Sequence, residues 1–430
     1  MMRLLWISVN KINFGDKVAQ SGRSVFCGWI EGAISEILIN KEIELAVAFP
    51  DRHIFSKKAE GVSFYSFPPV PPVRNRNFTH YSTKNFKRLN DIIQEFKPDV
   101  IQIFGTESWF QRQFVYMLND LGLIDKTIVW IQGLMGCYAD CYTDGLTLSQ
   151  IRTRTFWETL RGTNVQGMQR RFVLNGEGEK DVLRTLRHVF VRTDWDASCC
   201  RAVNPDIQLH FCNETLRPSF YQGDCWELKK IRRHSIFVSQ YSYPIKGFHQ
   251  LLKAFPLIKR YYPDATIYVA GGDLFLKDKS MLDKIRENGY RRMLRQMILE
   301  SGIRDSIVFL GMLDAEKMKQ QYLSAHVFVT ASSIENSCNS IGEAMITGTP
   351  IVASYVGGTP FILEDKTEGL LYPYHEYALL ADKVCEIFGN DDLACSLSEA
   401  AHRHAMKTHD VRNNYECLIR EYRLMTAETP

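Results

Sequence analysis

No run of about 18 apolar residues occurs in the 430-residue chain, so no membrane-spanning helix is expected. The opening stretch, "MMRLLWISVNKINFGDK", has no sustained apolar core and no small-residue cleavage site, and a secretory signal is not expected either. Charge of one sign is also missing. Lysine and arginine number 52 against 49 aspartates and glutamates, a net charge of +3, so no global field selects a polyanionic partner. The eleven cysteines are odd in number and lack a repeated spacing, which argues against a disulfide framework and fits free thiols in a reducing cytoplasm. Cys137 and Cys141 form C-x-x-x-C, but no His/Cys pair follows at ligand spacing, and no metal site is expected. No G-x-G-x-x-G follows the first apolar run, which counts against a dinucleotide oxidoreductase.

What is present is a soluble-type composition, 45% hydrophobic and 23% charged, in a chain long enough for two or three domains. Short apolar runs alternate with helical patterns. "LLWISV" (4–9), "DVIQIFG" (99–105), "TIVWIQG" (127–133), "HVFVRT" (188–193) and "IQLHFC" (207–212) read as buried strands. A second series follows: "SIFVSQ" (235–240), "TIYVAGG" (266–272), "IVFLGM" (307–312), "HVFVTAS" (326–332), "PIVASYVGG" (350–358) and "GLLYP" (369–373). Continuous apolar strands between helices imply parallel sheets and α/β winding. The polar stretch 218–234 separates the series. The expected division is therefore 1–222 and 223–410. Tyr415, Leu418, Ile419 and Tyr422 mark an amphipathic helix, 411–430, that completes the first domain. Two doubly wound domains facing across a cleft at the C-terminal ends of their strands are expected.

The densest chemistry lies in "SSIENSCNSIGEAMITGTP" (332–350), which carries Glu335 and Glu343. On one helix, eight residues would set their carboxylates about 80° apart. "SIENSCN" is turn-rich, however, and "SIGEAMIT" is helical, with Gly348 and Pro350 as the stop. Glu335 then belongs to a strand-to-helix loop and Glu343 to the first helical turn. Between them the amides of Asn339 and Ser340 open a helix N-terminus, a place for phosphate. Ser340 to Glu343 also fits S-x-x-E, a capping box that would give Glu343 a purely local role; spacing alone leaves both readings open.

With its flanks, this segment resembles the retaining, nucleotide-sugar-dependent glycosyltransferases of family 4, the E-x7-E motif group (glycosyl transferases group 1), which have the GT-B fold. The resemblance runs through "YPIKGFHQLLKAFPLIKRYYPDATIYVAGGD" (243–273), "IVFLGMLDAEKMKQQYLSAHVFVTASSIEN" (307–336) and "GEAMITGTPIVASYVGGTPFILEDKTEGLLYP" (342–373), nearly the whole C-terminal half. It implies a GT-B α/β fold of two Rossmann-like domains, the first facing the acceptor and the second binding a nucleotide-sugar donor. It also implies roles. Glu335 would bond the donor sugar and stabilise charge at the anomeric carbon. Lys246 would neutralise the leaving diphosphate. Asn339 and Ser340 would bind the diphosphate through their amides, and Glu343 would hold the ribose hydroxyls. Gly22, after the first strand, would let backbone approach the phosphates. No essential metal or other cofactor is implied.

Three departures stand out. Gln240 occupies the place of a family arginine six residues before Lys246, so either Arg192 or Arg23 substitutes, or affinity rests more on Lys246 and the helix end. Gln132 stands where relatives carry a histidine; it can bond sugar or acceptor but cannot act as a base. Retaining transfer in the family is thought to let the leaving phosphate take the acceptor proton, so catalysis survives that change. Cys338 replaces a frequent glycine, so its φ need not be positive. Gln132 and Arg192 are candidate sugar or acceptor contacts. Asn213 and Arg217 are candidates for the cleft edge, against the plainer reading of a salt-bridged hinge.

The expected activity is transfer of a hexose from a nucleotide sugar, UDP-sugar favoured, to a growing glycan or polyprenyl-diphosphate-linked oligosaccharide in cell-surface polysaccharide biosynthesis. The enzyme would be cytoplasmic and peripheral at the inner membrane face. Two basic stretches, 73–88 and 151–171, suit anionic headgroups. No nucleic-acid motif accompanies them, and nucleic acid is not an expected partner. The alternatives are a catalytically weak nucleotide-sugar-binding protein, which the two glutamines would explain, and a nucleotide-sugar epimerase of the same fold. The epimerase would need further acids and a histidine that the sequence does not supply.

Overall fold

The computed structural model describes residues 1–9, 28–70, 81–275 and 288–428. The chain divides into two compact units. The first comprises Met1–Gly136, Val173–Pro218 and Thr408–Pro430; the second comprises Cys137–Phe172 and Ser219–Lys407.

The first unit holds strands β1 (Met2–Ile7), β2 (Ile43–Pro50), β3 (Ser56–Ala59), β4 (Val62–Phe67), β5 (Val100–Phe104), β6 (Thr127–Trp130), β7 (His188–Val191) and β8 (Gln208–Phe211). They form one sheet in the order β3-β4-β2-β1-β5-β6-β7-β8. Every pairing is parallel except β3 with β4. The parallel strands are apolar because helices cover both faces of such a sheet; all five residues of β5 and all four of β6 are buried. The helix Val411–Glu428 lays Tyr415, Leu418, Ile419 and Tyr422 into this unit's core, against Trp6, Phe104 and Phe190. Its Tyr422 hydroxyl accepts from Trp6 Nε1 at 3.2 Å.

The second unit holds β9 (Ser235–Val238), β10 (Thr266–Val269), β11 (Ile307–Phe309), β12 (Val327–Thr330), β13 (Ile351–Ser354) and β14 (Leu370–Tyr372). Their order is β11-β10-β9-β12-β13-β14, and every pairing is parallel. From β9 the chain winds outward to β10 and β11, then returns to start β12 on the other side. The crevice between β9 and β12, at their C-terminal ends, is the topological switch point where α/β sheets bind ligands.

The expected first domain, 1–222, includes residues 137–172, which here pack within the second unit. Lys253 Nζ donates to Gly145 O at 2.7 Å, Ser333 Oγ to Cys141 O at 2.9 Å, and the Gly289 amide to Glu158 Oε2 at 2.7 Å. His249 Nε2 lies 3.1 Å from Asp144 O, and its Nδ1 lies 3.0 Å from the Tyr290 hydroxyl. A carbonyl can only accept, so Nε2 carries the proton; burial lowers the ring to about 3, so the imidazole is neutral and Nδ1 accepts from the tyrosine.

Candidate active site

Lys246 and Glu335 come from the two loops that leave the switch point. After β9 the chain makes a turn whose last residue is Lys246, and Gly247 then starts the helix Phe248–Tyr261. Gly247 has φ +62°, and a Cβ there would sit 1.6 Å from Ala331 O, so only glycine lets this turn pass the end of β12. The Ser333 amide donates to Ile245 O at 2.7 Å and ties the loops together.

Across this contact Lys246 Nζ lies 2.6 Å from Glu335 Oε1. The side chains are only 18% and 8% exposed. Ser332 Oγ also donates to Glu335 Oε1, at 2.6 Å. Burial of the ammonium works against its charge. The Glu335 carboxylate, with Tyr243 and Cys338 near it, outweighs that effect and holds Lys246 well above the ordinary lysine range. Lys246 is therefore a fixed cation. The backbone of Glu335 is clamped from a third loop: the Gly358 amide donates to Glu335 O at 2.9 Å. Gly357 has φ +50°, and a Cβ on it would fall 2.1 Å from the same oxygen.

The helix Asn339–Thr347 begins just beyond, capped by Cys338 at φ −75°. The cysteine in the usual glycine place thus sits in ordinary extended backbone. The capping-box reading of Ser340 and Glu343 does not hold, because the helix starts at Asn339 and Ser340 is already inside it. Ile341 and Gly342 amides both turn back to Cys338 O, at 2.9 and 3.2 Å. Glu343 is buried, and its Oε2 accepts from the Tyr322 hydroxyl at 3.4 Å. The same hydroxyl lies 3.2 Å from Ser340 O, so its one proton is shared between the two acceptors. Glu335 thus lies on the loop before the helix, whereas Glu343 lies past the helix's first turn, which holds no acid, and not within that turn as the spacing predicts.

Lys246, Glu335, Ser332, Ser340 and Gln240 line one polar pocket floored by Val238 and Val329. Gln240 is exposed and lies within 3.5 Å of Ser242 Oγ. Gln132 and Arg192 belong to the first unit and converge there on one acid. Gln132 Nε2 donates to Glu214 Oε1 at 2.5 Å and Arg192 Nη1 to Glu214 Oε2 at 2.7 Å, with the ion pair 3% and 1% exposed. Arg192 is thus already paired with a buried carboxylate. Gly22 and Arg23 lie outside the described residues. Ser332, Tyr322 and the Gly357-Gly358 pair escaped the sequence reading. The repeated glycine after β13 was the available signal; nothing in the sequence marks Ser332 or Tyr322.

Residues 232–390 match the model of the family described as glycosyl transferases group 1. The matched residues all lie in the second unit. The resemblance read from the motifs is to the same group. A putative glycosyltransferase of Bacillus subtilis, YtcC, is 29% identical over 163 residues, 37% of this chain and 38% of the relative. The chain thus spans under half the length of the curated relatives it matches. Among solved structures, the sucrose-phosphate synthase of Thermosynechococcus elongatus is similar over 100% of both chains, with a TM-score of 0.72 and 17% identity. Anabaena HepE, in complex with UDP-glucose, is similar over 98% of this chain and 99% of its own, with a TM-score of 0.64 and 14% identity. The fold class is GT-B.

Proposed function

We propose that the protein is a glycosyltransferase of the retaining, family 4 type. It would transfer a hexose from a nucleoside-diphosphate sugar, a UDP-sugar by preference, to a growing glycan or polyprenyl-diphosphate-linked oligosaccharide. Its place would be the cytoplasmic side of cell-surface polysaccharide synthesis. The observation that carries this reading is the convergence of the Lys246 ammonium and the Glu335 carboxylate beside the Ser340 helix end, at the switch point of a parallel sheet. The family match over 232–390 supports it.

In this reading the donor diphosphate lies against the helix N-terminus, where backbone amides and the helix dipole favour negative charge. Lys246 faces the same oxygens. As the bond from the anomeric carbon to phosphate oxygen breaks, its electron pair stays on the diphosphate, and the fixed ammonium stabilises the new charge. Glu335 turns to the sugar and stabilises the positive charge that develops there. The acceptor oxygen bonds to the anomeric carbon on the face the phosphate leaves, and its proton passes to the departing phosphate oxygen. Glu343 holds ribose hydroxyls. Lys246 is the cation this scheme uses, and no divalent metal enters it. Asn339 and Gln240 complete the donor side.

Thermal-shift measurements with UDP, GDP and ADP test the reading. A ligand bound only by the folded state raises the melting temperature by mass action. UDP should give the largest rise, and Lys246→Ala should reduce it. Equal absence of a shift with all three nucleotides would count against a nucleotide-sugar site.

A further inference from the structure

The residues between 147 and 171 present an apolar and basic surface that the donor chemistry does not use. Two short helices, Leu148–Arg152 and Phe156–Arg161, expose their large apolar side chains: Leu148 is 71% exposed, Phe156 74% and Leu160 70%. Phe156 and Leu160 are four apart and share one helical face. Trp157 packs edge-on against Phe156 with ring centroids 5.5 Å apart, and the Arg161 guanidinium lies 5.9 Å from the indole centroid. Arg152, Arg154, Arg161, Arg170 and Arg171 are all exposed.

The single acid of this stretch is turned away. Glu158 is buried; it accepts the Thr155 amide at 2.9 Å and the Gly289 amide at 2.7 Å. Five cations therefore face outward with no carboxylate of their own segment among them. The other basic stretch differs. Residues 73–80 lie outside the described residues, and Arg88 is spent inward on Phe55 O and Ser56 Oγ, at 2.8 and 2.7 Å.

We infer that the surface formed by Leu148–Arg161, with Arg170 and Arg171 beside it, docks the protein on a bilayer containing anionic phospholipid. Aliphatic and aromatic side chains enter the headgroup boundary while arginines pair with lipid phosphates. Bases would stack on the aromatics but gain nothing from Leu148 and Leu160, and a lipid surface uses all four apolar groups. The inference rests on residues outside the donor pocket, so its test is independent of the transfer reading.

The test is co-sedimentation of the full chain, without nucleotide, with phosphatidylcholine vesicles and with vesicles in which about one third of the lipid is phosphatidylglycerol. Binding to the anionic vesicles alone, weakened by salt, is expected. Arg152→Glu, Arg154→Glu and Arg161→Glu combined should reduce the partition coefficient on the order of a hundredfold, at roughly fivefold for each cation lost. Phe156→Ser with Leu160→Ser should reduce it at unchanged melting temperature. Lys84→Glu with Lys87→Glu, on the other basic stretch, should leave it nearly unchanged. Equal binding to neutral vesicles, no binding to either, retention by the arginine variant or loss in the Lys84/Lys87 variant would each overturn the inference. So would a concentration-dependent self-association abolished by Phe156→Ser and Leu160→Ser in the absence of lipid.

Discussion

Lys246 Nζ and Glu335 Oε1 are 2.6 Å apart, and each supplies the countercharge the other needs in a largely buried place. Removing one partner strands the other. Glu335→Ala and Lys246→Ala should each lower stability by about 3 kcal/mol, the low end for a buried pair because Lys246 keeps some exposure. The double variant should recover part of that loss. Urea denaturation of the four proteins gives the coupling; strictly additive losses would mean that the two groups do not depend on each other.

Gly357 limits where Glu335 can sit. An alanine there meets Glu335 O at 2.1 Å on a backbone with φ +50°. Gly357→Ala should therefore displace the Glu335 loop, with a stability loss on the order of 1–3 kcal/mol and a larger fractional loss of turnover than of nucleotide affinity. An activity and melting temperature equal to those of the parent would show that the close contact does not constrain the loop.

Acid should destabilise both units through buried histidines. Burial lowers His249 to about 3, with Lys253 adding to it, and lowers His188 and His326 to about 4, with His210 and Arg233 respectively adding. The unfolded chain takes up these protons near 6.5, before the folded chain does. Stability from the neutral rings is thus complete above about pH 6.5 and falls as the pH drops toward 4, by at most about 2 kcal/mol per histidine at pH 5. Calorimetry across this range should show a falling melting temperature, less steep in His326→Gln. A flat profile would contradict the assignment of neutral buried rings.

Cys417 should be the most readily alkylated of the described thiols near neutral pH. The interaction with the Cys212 thiol, together with the Arg420 guanidinium 3.3 Å from its sulfur, outweighs burial and lowers Cys417 below the ordinary thiol range. Burial, with Asp144 and Asp140 adding, pushes Cys141 up to about 11. The thiolate is the nucleophile, so near neutral pH iodoacetamide should label Cys417 faster than Cys141 and leave Cys141 largely unlabelled. Peptide mass spectrometry reads both; equal labelling would refute the difference.

Most strands were legible because they are largely apolar runs: β5 to β14 fall within stretches read from sequence, and β1 overlaps one but starts two residues before it. The strands not anticipated are β2, β3 and β4. In β4, "VSFYSF" interleaves serine with aromatics, and Ser66 becomes a core residue only because its hydroxyl donates to His53 O at 2.9 Å. In β3, "SKKA" is a solvated antiparallel edge whose lysines carry no apolar signal. Glu335 and Lys246 were legible through their motif. The serine, tyrosine and glycines that fix them were not, because their roles arise from contacts between loops distant in the chain. The placement of residues 137–172 was hidden for the same reason, since it depends on His249, Lys253 and Ser333 meeting backbone far from them in sequence.

The most direct measurement is turnover of a UDP-sugar, followed as release of UDP in the presence of a lipid-linked glycan fraction, by the parent protein and by Glu335→Ala. Circular dichroism and nucleotide binding would establish that the variant is folded with an intact diphosphate pocket. Sugar-dependent release by the parent is expected, with a loss of roughly a hundred- to a thousandfold in the folded variant. Parent-like turnover by folded Glu335→Ala would remove the carboxylate from the reaction and contradict the central claim.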